Sequence, residues 1–77
     1  MIVNINNSTY EMNSKQYKAV LDTASNAVNC GIYAVEKNKV AIMLREEYKS
    51  KEELKQAVGN YTAKGFEVYW NEKSKKN

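Results

Sequence analysis

Seven aromatic side chains, Tyr10, Tyr17, Tyr33, Tyr48, Tyr61, Tyr69 and Trp70, are interleaved with eleven lysines in this chain of 77 residues. On a sheet, such aromatics could stack single-stranded bases while lysines follow the phosphates. Tyr17 and Tyr61 fall in helical apolar stripes, where a core role is the simpler reading, and "AKGFEVYW" (63–70) sets the acidic Glu67 inside its aromatic run. Two acidic clusters, "REEY" (45–48) and "KEE" (51–53), are the groups that could bind a cation or run acid–base chemistry. Adjacent acids at a strand end point to opposite faces, and those at 52–53 suit the start of a helix, so solvated and capping roles are expected. Cys30 is the one thiol, with no histidine in the chain to draw its proton. Without histidine and with one cysteine there is no ligand set for zinc. Neither a metal, a cofactor nor a catalytic residue is expected, and the chain reads as a non-enzyme.

The charge points the same way. Twelve basic residues stand against nine acidic ones, a net of +3. The segment 72–77, with Lys73, Lys75 and Lys76 against Glu72, carries +2 of it. Only Arg45 is arginine, whereas phosphate and base edges are gripped mainly by arginine forks. "MIVNINNSTYEMN" has neither a basic start nor a long apolar stretch, and no run approaches a membrane span. A cytoplasmic setting in the host cell, without a membrane partner, is the expectation.

These residues must be held by short elements. Met1–Ile5 and Thr9–Met12 read as strands around "NNS", and an Asn6-Asn7 turn would set Val3 against Tyr10 and Met1 against Met12. "NSKQ" (13–16) is a capping box, followed by Tyr17, Val20, Leu21, Ala24, Ala27 and Val28 at helical spacing. Gly31 suits the left-handed position after that helix. Ile32–Glu36 and Lys39–Glu46 form a hairpin turning through Lys37-Asn38 or Asn38-Lys39, with a three-residue loop also open. "SKEE" (50–53) starts a second helix with the stripe Leu54, Ala57, Val58, Tyr61 and a stop at Gly65. Phe66–Asn71 is the last strand.

The order β-β-α-β-β-α-β predicts an α+β fold, a two-layer sandwich with two helices on one face of a mostly antiparallel sheet. Residues 1–71 are expected to form one domain and 72–77 a lysine-rich, disordered tail. One strand resists this arrangement. Val40, Ala41, Ile42, Met43 and Leu44 run apolar without alternation, which asks for cover on both faces. A two-residue turn puts Tyr33 and Val35 with Val40, Ile42 and Leu44, and puts Ile32, Ala34, Ala41 and Met43 on the other face. If the helices share the first face, the second is open, and burying it would stabilise the molecule at ~25 cal/mol per Å². Ile32, Ala34, Ala41 and Met43, with Tyr69 and Trp70 on the last strand, are therefore the candidate protein-contact residues. They imply a homodimer, a host-protein partner, or both.

The segments "INNSTYEMNSKQYKAVLDTAS" (5–25), "GIYAVEK" (31–37) and "KGFEVY" (64–69) resemble small accessory proteins encoded by phages and prophages of Gram-positive bacteria. The resemblance implies a setting rather than site residues. Such proteins commonly bind and block a host protein or sequester a nucleotide signal, and anti-CRISPR and other anti-defence proteins are often this short. Most DNA mimics among them are strongly acidic, and this chain is not. The resemblance thus favours a protein-binding inhibitor, with a nucleic-acid-binding accessory protein as the alternative.

Overall fold

A computed structural model describes residues 1–73, and the expectation for the end of the tail, 74–77, lies outside the described residues. The chain begins with a hairpin of β1 (Ile2–Ile5) and β2 (Ser8–Glu11). Asn6 and Asn7 both adopt positive φ, 50° and 68°, as a two-residue type I′ turn requires. Val3 then lies opposite Tyr10, and the main chains of Met1 and Met12 are hydrogen-bonded beyond them.

Helix α1 (Ser14–Ala27) opens with the expected capping box: the Gln16 N–H donates to Asn13 Oδ1 at 2.9 Å, and the Asn13 N–H donates to Gln16 Oε1 at 3.1 Å. It ends at Val28, and Gly31 is not its left-handed stop. Gly31 instead belongs to β3 (Cys30–Lys37), where a Cβ would collide with the Glu46 carbonyl oxygen. That close approach, not a positive φ, is what excludes a side chain there. β3 and β4 (Val40–Glu47) form the central hairpin, turning through Asn38 and Lys39 at φ 54° and 65°.

Helix α2 (Lys51–Ala63) is capped by Ser50, whose hydroxyl accepts from the Glu53 N–H at 3.2 Å. It closes on Gly65 at φ 89°. The Gly65 N–H donates to the Thr62 carbonyl and the Phe66 N–H to that of Tyr61, a Schellman arrangement, with the Tyr61 and Phe66 rings in edge-to-face contact across it. β5 (Glu67–Glu72) follows.

The five strands make one sheet in the order β2-β1-β4-β3-β5, antiparallel except for β1 beside β4. The α+β class, the element order and the mostly antiparallel sheet are as expected. The placement of the helices is not. α1 buries Tyr17 against Val3 and Ala41, while α2 buries Leu54 against Ile32 and Val35. Met43 packs with the first cluster and its neighbour Leu44 with the second, so the two helices lie on opposite faces of the sheet.

Strand order supplies the reason. β2–α1–β3 and β4–α2–β5 are both crossovers between parallel strands, and both move the same way across the sheet. Their starting strands, β2 and β4, run in opposite directions. Two such crossovers share the usual right hand only with one helix on each face.

The central hairpin contains a second departure. Ile32 pairs with Glu46 and Trp70, but Ala34 pairs with Met43 and Tyr69, so the register slips at Tyr33. The slip turns Ile32 onto the same face as Val35, under α2, and Tyr33 toward Tyr69 on the α1 side.

Candidate functional site

The expected contact face is therefore closed. Ile32, Ala34 and Ala41 are each 0% exposed, and Met43 is half-buried with the α1 cluster. α1 supplies the cover that a one-sided arrangement would leave missing, and the slip at Tyr33 moves Ile32 beneath α2. These four residues form no common surface. Tyr69 and Trp70 are adjacent on β5 and point to opposite faces, Tyr69 toward α1 and Trp70 outward on the α2 side.

The aromatic side chains are organised by two carboxylates. On the α1 face, the Tyr17 and Tyr69 hydroxyls both donate to Glu36 Oε1, at 3.2 and 3.1 Å. Their rings meet edge to face at 6.2 Å. On the α2 face, Glu46 accepts from Tyr48 at 3.0 Å through one oxygen and from Tyr61 at 2.8 Å through the other. Each half-buried carboxylate is thus held by two phenols, Glu36 by two that are remote in sequence and Glu46 by its near neighbour Tyr48 and by Tyr61 of α2. Burial first, and then the adjacent Tyr69 hydroxyl and the Glu36 carboxylate, push the Tyr17 hydroxyl well above its ordinary range. Burial and then Glu46 push Tyr61 up to about 12. These four tyrosines face negative charge, which suits interior bracing better than stacking along an anionic backbone.

The acidic clusters are likewise engaged. Glu53 accepts from the Lys49 N–H at 3.2 Å, and Glu47 lies 3.6 Å from Arg45. Among the described residues, no three His, Cys, Asp or Glu side chains gather as a metal site. Cys30 is half-buried at the start of β3, its Sγ 4.0 Å from the Ser50 carbonyl. No helix among the described residues is long and apolar enough to cross a membrane.

What remains open is the half of the sheet that α2 does not reach. α2 packs on β3, on β5 and on β4 at Leu44 and Glu46, leaving the same face of β1 and of β4 at Val40 and Ile42 bare. Ile2 and Ile42, 42% and 36% exposed, and Val40, 40% exposed, lie there side by side: Ile2 is registered with Val40, and Asn4 with Ile42. The sequence pattern puts Val40 and Ile42 on the face expected to be covered, but α2 does not extend over them, and how far a helix reaches is decided only in the tertiary structure. The cue in the sequence was the unalternated "VAIML" itself. On the opposite face, an apolar groove of about 380 Å³ runs between α1 and the sheet, lined by Ile5, Val20, Ala24, Ala27 and Met43 among others. Comparison with known proteins finds no match: no family pattern, no curated protein and no solved structure resembles the chain detectably.

Proposed function

We propose that this chain is a non-enzymatic binding module, an accessory protein of the phage or mobile-element kind, that acts by occupying the surface of a host protein. Inhibition of a host defence system is the setting that fits its size and resemblance. The supporting observation is the bare patch of Ile2, Val40 and Ile42 beside α2: three branched apolar side chains exposed together on strands that keep polar groups at their margins, with Asn4, Thr9 and Glu11 at the β2 side. A surface of that composition gains most when another protein excludes water from it.

The test is capture from a Gram-positive host lysate with the tagged protein, identification of the captured protein, and calorimetric titration of the purified pair. Ile42→Lys should weaken that affinity at least roughly tenfold, since a charge would be buried in the contact. Unchanged affinity, or no specific capture, overturns the proposal.

A further inference from the structure

We propose that two copies of the chain pair along β5, joining their sheets edge to edge around a two-fold axis centred on Trp70. Among the described residues β5 is hydrogen-bonded on one side only, to β3. Its other edge runs open for six residues, with every second main-chain N–H and C=O unpaired, against four residues at the opposite edge strand β2. β5 contains no proline and no lysine to blunt that edge, and its two charges, Glu67 and Glu72, stand at its ends.

The sequence of β5 selects a register. In an antiparallel pair, residues directly opposite each other share a face, so a two-fold axis normal to the sheet must pass through a residue and not between two. Centring on Tyr69 sets Glu67 against Asn71 and Val68 against Trp70. Centring on Trp70 sets Trp70 against its own copy, Tyr69 against Asn71, Val68 against Glu72, and Glu67 against Lys73 of the second copy, one residue past the end of β5. Of these, the Trp70 register alone puts opposite charges across the seam, and symmetry makes the pair occur twice. Glu67 and Lys73 are exposed, and Trp70 is 40% exposed, so all three are available. The helices do not obstruct the join. α2 lies over β3 and β5, so its axis and that of its copy would run about two strand spacings apart, ~10 Å, a distance at which helices pack.

The dimer deepens the binding reading, on which its functional consequence rests. An axis normal to the sheet keeps the α2 faces of both copies on one side. The two Ile2, Val40 and Ile42 patches would then face the same way, about six strand spacings or ~30 Å apart. That geometry suits a partner carrying two equivalent sites, where the second contact is made at high effective concentration.

Light scattering of the purified protein over a concentration series should give a mass near twice 8.8 kDa. Glu67→Lys should raise the dissociation constant roughly tenfold by placing like charges at both ends of the seam, and Trp70→Ala should raise it as well. Glu67→Lys combined with Lys73→Glu should return it to within about twofold of the unaltered protein. A monomer at all concentrations, a dimer indifferent to Glu67→Lys and Trp70→Ala, or a failed charge exchange overturns the seam. The measurement needs no host protein, so it separates from the capture experiment. A monomer that still captures its target through Ile42 removes only the dimer, and a dimer that captures nothing removes only the binding reading.

Discussion

Glu36 and Glu46 each tie together residues remote in sequence, Tyr17 with Tyr69 and Tyr48 with Tyr61, and so pin a helix or loop to the sheet on either face. A carboxylate accepting two phenols is satisfied without a cation, and each phenol gains a charged acceptor. The arrangement has a pH signature. Tyr61 is raised from 10.0 to about 12, first by burial and then by Glu46, and Tyr48 and Tyr69 are raised in the same direction. The folded state therefore holds these protons more tightly than the unfolded chain. The stability they contribute is complete below about pH 10 and is lost as pH rises through about 12. Urea denaturation midpoints should fall across that window, and less steeply for Tyr61→Phe. At pH 7 that variant should be less stable by roughly 1–2 kcal/mol through the lost hydrogen bond to a charged group.

At the scale of elements, local chemistry decides. The capping box at Asn13, the Ser50 cap and the Gly65 stop are each made by residues within a few positions of one another. The Lys37 ammonium adds a distant clamp: it donates to the Lys64 carbonyl at 3.0 Å and stands 5.4 Å over the Phe66 ring, at the negative end of α2. One local choice runs against preference. Lys39 sits at φ 65° in the central hairpin turn, a conformation that crowds a Cβ and that glycine adopts freely. Lys39→Gly converts the turn to Asn-Gly, the favoured type I′ pair, and should stabilise the protein by about 1 kcal/mol in chemical denaturation. No gain would mean that the Lys39 side chain makes a compensating contact.

The whole molecule is an unevenly covered sheet. Both helices reach the β3 and β5 half, one on each face, while β1 and the Val40 end of β4 are covered by α1 alone. Leu54 and Ile42 lie on the same face of one domain but in opposite circumstances, 0% and 36% exposed. Leu54→Ala should destabilise the fold by about 3 kcal/mol, and Ile42→Ala by less than about 1 kcal/mol, when denaturation midpoints are compared. Similar losses for both would mean that the patch is buried in solution by a partner or a second copy.

The sequence by itself determined what short-range physics controls: both helices with their caps and stripes, the Asn6-Asn7 hairpin with Val3 opposite Tyr10, and the Schellman end at Gly65. Each depends on contacts within a turn or two of chain, so the residues announce it. The pairing of β1 with β4, the side taken by each helix and the slip at Tyr33 were decided only in the tertiary structure. A parallel pairing between strands some 38 residues apart has no local marker. The handedness of a crossover places a helix only once strand order is known. A slip of one residue reverses which face a side chain occupies, which is why Ile32 belongs to the core beneath α2 and not with Ala34 and Ala41 on the α1 side.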